Sequence, residues 1–179
     1  MSILKVSRMG HPVLRKKAKA LDRATVRTPA IQKLIDDMME TMDEYHGVGL
    51  AAPQVHEDIR LFVAALDMER GEEPSAPIAL INPEITPIGN EIVDDWEGCL
   101  SIPDIRGKVP RHREIKVRAL DRDGERIELR ARGFSARIIQ HETDHLDGIL
   151  FFDRMTGFET LTFLDEYSRY WVKNEDDEE

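Results

Sequence analysis

The chain has 179 residues, 41% hydrophobic and 34% charged, with a single cysteine and a formal charge of −10. That length suits one domain with a core large enough to fold alone, and the apolar fraction excludes a disordered chain. One cysteine excludes an intramolecular disulfide framework, no apolar run approaches the ~18 residues of a membrane helix, and the net acidity gives no general attraction to nucleic acid or anionic lipid.

The last five residues, 175–179, are all acidic and account for half of the negative excess. They are expected to form a solvated tail, 174–179, behind a single domain spanning 1–173. The N-terminal residues lack the basic-then-apolar shape of a signal peptide. With the lone thiol this points to a reducing, cytoplasmic setting. Arg106, Lys108, Arg111 and Arg113 lie close together and could form a local basic patch.

In chain order, the first clear element is a helix opened by Thr28-Pro29, with Thr28 as cap and proline at the first helical position. Ile31, Leu34, Ile35, Met38, Met39, Met42 and Tyr45 recur at a spacing of three to four, one buried stripe in which the methionines are core packing. Gly47 and Gly49 end it. Short apolar runs at 60–66 and 78–85, the second interrupted by Pro83, read as strands, with a polar loop at 67–77 between them. Ile115, Val117 and Ala119, then Ile127, Leu129 and Ala131, alternate with polar residues around Asp121-Arg122-Asp123-Gly124, a hairpin. Gly133 punctuates the chain before a helical pattern at 134–146. A final amphipathic segment, 160–171, carries Leu161, Leu164 and Trp171 on one side. The order describes an α+β domain.

The strongest chemical signal is His141-Glu142-Thr143-Asp144-His145. Two histidines at i and i+4 project from one helix face and can reach a single metal ion, and a non-ligating carboxylate beside them can take a proton from water. Ile138 shares this face, so it points inward. Such a site needs a third protein ligand, for which Cys99, Glu97, His11, His46, His56 and His112 are the candidates. The four histidines sit in polar, exposed stretches, which favours Cys99, in Glu97-Gly98-Cys99-Leu100-Ser101; a Cys-His-His set suits zinc or ferrous iron. A third stretch, Gly47-Val48-Gly49-Leu50-Ala51-Ala52-Pro53-Gln54, permits close backbone approach and ends on an amide.

Taken together, GVGLAAPQ at 47–54, EGCLS at 97–101 and HETDH at 141–145 resemble the three motifs of the peptide deformylases, in the same order and at matching separations. Flanking residues Gly10-His11-Pro12, Val109-Pro110-Arg111 and Leu146-Asp147-Gly148 agree, so the resemblance covers roughly residues 3–155. It implies antiparallel sheets packed around a central HExxH helix, with an N-terminal and a C-terminal helix. It implies removal of the formyl group from the N-terminal methionine of nascent polypeptides. Carried over, Cys99, His141 and His145 bind the metal, Fe2+ by family precedent with Zn2+ or Ni2+ as substitutes, and Glu142 transfers protons. The Gln54 amide and the Leu100 N–H hold the oxyanion. Val48, Gly49 and Gly98 meet the substrate backbone, the methionine side chain enters a pocket near Val48, Phe134, Ile138 and His141, and Arg106 lies near the substrate.

Three departures from the family pattern bear on this. Thr143 takes a slot that is usually apolar and should face away from the metal. Arg137, one turn before His141, should border the substrate entrance. The acidic end argues against ribosome docking through a basic C-terminal helix. Two other readings are a different HExxH metallopeptidase, which would take a downstream His or Glu ligand, and a non-catalytic protein keeping the fold to bind a partner.

Overall fold

The computed structural model describes residues 2–66 and 76–172. The acidic tail and most of the expected loop at 67–77 lie outside them. Helix α1 (Arg23–Val26) precedes α2 (Pro29–Glu44), and strands β1 (Gly49–Ala51), β2 (Leu61–Ala64) and β3 (Ile78–Pro87) follow. Then come β4 (Ile92–Cys99), β5 (Ile102–His112), β6 (Glu114–Leu120), β7 (Arg126–Arg132), α3 (Gly133–Leu146), β8 (Thr162–Phe163) and α4 (Leu164–Tyr170). A five-stranded antiparallel sheet runs in the order β1-β2-β3-β6-β7, and a three-stranded one in the order β4-β5-β8.

At strand β2 the larger sheet is buried on both faces. The strand's four residues are all apolar and all buried. Because side chains alternate, Phe62 and Ala64 pack with Ala136, Ile138 and Ile139 of α3, while Leu61 and Val63 pack with Ile35, Met38 and Met42 of α2. The methionine stripe is core, as its spacing implied. Tyr45, assigned to that stripe, is instead the C-cap of α2 and is exposed. Thr28 occupies the N-cap position in extended conformation, but its hydroxyl donates to the Thr25 carbonyl rather than accepting from the helix.

Pro83 is tolerated in β3 because the ladder breaks there. Register shifts between Ile81 and Glu84, and Asn82, at φ 50°, turns its amide onto both backbone groups of Leu21. The Asp121–Gly124 hairpin forms as expected, Asp121 accepting from the N–H groups of Asp123 and Glu125.

The long strands β4 and β5 have no clean alternation in sequence, and their pairing places the Cys99 motif at the end of a hairpin beside α3. A third core cluster of Val13, Leu14, Ile102, Val109, Leu150 and Phe151 supports that sheet. The amphipathic reading of 160–171 is corrected. Leu161 precedes β8, α4 spans only seven residues and buries none, and Leu164 and Trp171 stay partly exposed.

Candidate metal centre

Helix α3 lies against both sheets, so one face of it is enclosed. His141, Glu142, Asp144 and His145 are all buried on it. Opposite stands Cys99, at the end of β4, with its sulfur 3.3 Å from His145 Nε2. Ligand atoms of Cys99, His141 and His145 all lie within 4.8 Å of one another. Cys99, His141 and Glu142 open on a cavity of about 820 Å³ whose walls include Val48, Gly49, Gln54, Gly98, Leu100, Arg106, Phe134 and Ile138. Every residue expected at the site except His145 lines that space, and His145 adjoins it through the Cys99 sulfur. Of the other ligand candidates, His11, His46 and His56 are exposed and His112 is half-buried, and none joins the group.

Glu97 does not join the converging group. Its carboxylate accepts from His141 Nδ1 at 2.8 Å, leaving Nε2 to face the sulfur side. It also accepts a two-pronged pair of bonds from Arg111 at 2.9 and 3.0 Å, and one from Arg137 at 2.8 Å. Arg111 reaches on to Asp144 at 2.5 Å, and Arg154 closes on Asp144 from the surface. These partners outweigh the burial that would raise it, and hold the Glu97 carboxyl well below the usual range.

This network sharpens one expectation and overturns another. Arg137 does border the cavity, as expected, but it is buried and its guanidinium is spent on Glu97 and on the Val93, Asp95 and Val109 carbonyls rather than offered to a substrate. The basic cluster is not one patch, since Arg111 is interior and Arg113 pairs with Glu91. The sequence signal for Glu97 was its alternation with Trp96 and Gly98, which turns it inward beside Cys99, but nothing local named Arg111 as its partner.

The donor set suits a divalent cation: one thiol and two imidazoles. Burial alone would lower the His141 pKa, but Cys99 and Glu97 outweigh it and raise it well above the usual value. Burial, followed by the charge of His141, drives His145 down. A cation competes with the His141 proton for the same nitrogen, which couples binding to proton release. Glu142 is pushed up to about 7, chiefly by burial, and its Oε2 is buried without a hydrogen-bond partner. Gln54 Oε1 accepts from the Ala51 N–H at 2.8 Å, which fixes its Nε2 toward Ser101 Oγ and the Cys99 sulfur at 3.2 and 3.5 Å. Thr143 Oγ1 is likewise buried and unpartnered, and Thr143 is not among the cavity walls.

The sequence profile of the polypeptide deformylases matches residues 3–160. The chain belongs to the peptide deformylase family. It is 43% identical over 170 residues to peptide deformylase 1 of Prochlorococcus marinus, spanning 93% of this chain and 88% of that protein. It is 44% identical over 177 residues to peptide deformylase 2 of Nostoc, spanning 96% and 97%. Among solved structures, the class I type b peptide deformylase of Acinetobacter baumannii bound to Met-Ala-Ser superposes with a TM-score of 0.80 at 38% identity, over 86% of this chain and 98% of that one. The Thermotoga maritima peptide deformylase gives 0.79 at 41%, over 87% and 99%. Peptide deformylases are metal-dependent enzymes that remove the formyl group from the N-terminal formylmethionine of nascent peptides, and that is the function of this chain.

Proposed function

We propose that Cys99, His141 and His145 hold one divalent metal, Fe2+ natively and Zn2+ or Ni2+ as substitutes, and that Glu142 moves the protons of formyl-methionine hydrolysis. The observation that carries the reading is the buried, unpartnered Glu142 Oε2 beside three converging soft donors. When bound, the metal supplies a Lewis acid that polarises the formyl carbonyl and eases ionisation of water. Glu142 takes the proton of the attacking water on a carboxylate oxygen and returns it to the departing amine nitrogen. Proton transfer of this kind is worth roughly 10²–10⁴-fold in typical enzymes. The Gln54 Nε2–H and the Leu100 N–H donate to the developing oxyanion, each worth roughly 10²–10³-fold.

Strands β1 and β4 are both edge strands of their sheets, and both front the cavity. An extended peptide between them can bond to Val48, Gly49 and Gly98 as an added strand. Its methionine side chain then enters the apolar end near Val48, Phe134, Ile138 and His141. The substrates are N-formylmethionyl peptides and nascent chains. A thiolate ligand calls for a reducing compartment, in keeping with the cytoplasm. The catalytic domain spans 1–173. No helix among the described residues is long and apolar enough to cross a membrane.

The test pairs metal analysis of anaerobically purified protein with formate release from formyl-Met-Ala-Ser. We expect one metal per chain, activity that falls in air and returns with iron or nickel, metal loss in Cys99→Ser, and retained metal without turnover in Glu142→Ala. Unchanged metal content in Cys99→Ser, or near-normal turnover in Glu142→Ala, would overturn the assignments.

A further inference from the structure

The cavity is larger than a formylmethionyl group needs, and its outer end is walled by the C-terminal segment. Leu164, the first residue of α4, lines it together with Trp96, Gly98 and Arg106. The segment is tied to the strand that carries Arg106. Thr162 pairs with Arg106 and Phe163 with Ile105, while the Lys108 N–H donates to Thr160 Oγ1 at 3.0 Å.

Arg106 itself lies flat across the substrate edge. A Cβ built on Gly98 would meet Arg106 Nη1, Cγ and Cζ at 3.5–3.6 Å. On its other side the guanidinium stands 5.3 Å from the centre of the Tyr167 ring. Tyr167 meets Trp96 edge-on at 4.8 Å, and Trp171 meets Trp96 at 5.2 Å. Among the described residues Arg106 forms no ion pair, so an aromatic face positions it and its N–H donors remain free for a ligand.

Upstream on β4, Arg137 already caps the Val93 and Asp95 carbonyls, so a peptide can add to this edge only from Trp96 to Cys99. Each residue beyond methionine advances about 3.3 Å along it, which brings the second and third residues after methionine, absent from formyl-Met-Ala, to Arg106 and Leu164.

We propose that segment 162–171 is a specificity strap: Leu164 contacts the peptide beyond methionine, and Tyr167 positions Arg106 to donate to the backbone there. This rests on the proposed substrate edge and extends it. The strap contributes binding to longer peptides only, and nothing to the reacting formyl group.

The test compares C-terminally amidated formyl-Met-Ala and formyl-Met-Ala-Ser-Ala on the metal-loaded enzyme. Tyr167→Ala should raise KM for the longer peptide about two- to fivefold with kcat unchanged, and leave the shorter peptide unaffected. Tyr167→Phe, which keeps the ring, should match the wild type, and Leu164→Ala should reproduce the length-dependent loss. Binding of unformylated Met-Ala-Ser amide, followed by tryptophan emission because Trp96 lies at the site, should weaken by the same factor in Tyr167→Ala. If the wild type releases formate from neither peptide, the reading of the metal centre falls, and binding still judges the strap. Equal changes for both lengths, or none, together with unchanged binding, would overturn the strap.

Discussion

Replacing Gly49 by alanine tests the position of Glu142 without touching Glu142 or any metal ligand. Gly49 does not adopt a positive φ, so alanine suits its backbone. What it lacks is room. An added Cβ would sit 2.4 Å from Glu142 Oε1, 2.7 Å from Cδ and 2.8 Å from Cγ, where an ordinary contact is 3.4 Å or more. The carboxylate must therefore move by about 1 Å, and a misplacement of that size can cost about 10²-fold in rate. Because a side chain yields rather than the backbone of β1, folding should lose only the roughly 1–3 kcal/mol of a mild overpacking. The assay is kcat for formate release at matched metal content, beside a denaturant melt. We expect a folded, metal-replete enzyme with kcat down about 100-fold. A kcat within twofold of wild type would refute the claim that Glu142 acts from the position seen here. Loss of the metal would show that β1 supports the ligands rather than the proton-transfer group.

Three further outcomes follow from the buried charge network. Glu97→Gln keeps the shape but removes the charge oriented on His141 Nδ1, and should lower metal affinity about 10- to 100-fold in a chelator competition. Arg111→Met removes the buried cation shared by Glu97 and Asp144, leaving Glu97 to Arg137 and His141 and Asp144 to Arg154, and should cost about 3–5 kcal/mol in urea unfolding; a loss under about 1 kcal/mol would mean that those remaining partners suffice. The folded Glu97 carboxyl is held below its unfolded value, so its stabilisation is complete above the ordinary carboxylate range and is lost as the pH falls below it. The unfolding free energy of the metal-free protein should therefore drop on acidification below about pH 4–5, with a shallower slope in Glu97→Gln.

Much of this protein is legible before it folds. The stripe of α2 and the two histidines of α3 are local patterns with a period of 3.6, and the β6–β7 hairpin is a period of two around a turn that Asp121 and Gly124 dictate. The candidate trio and the Glu142 beside it are local in sequence because HETDH places three of the four groups on one helical turn, and a single cysteine completes the converging set. Strands β4 and β5 were harder. Their residues mix charge with apolar groups because one face meets α3 and the core while the other carries Trp96 and Arg106 against Tyr167 of α4, with Lys108 over Trp96.

What the chain alone determined is therefore the chemistry: a thiol, two imidazoles and a carboxylate at spacings that one metal ion can use. Tertiary structure decided which charges serve it. Arg111 and Arg137 look like surface residues in sequence, and they became interior partners of Glu97 only when β4, β5 and α3 were brought together. The physical reason is range. Helical and strand periodicities couple residues two to four apart, whereas pairing of buried charges joins Glu97 to residues 14, 40 and 44 positions away, and no local pattern encodes those distances.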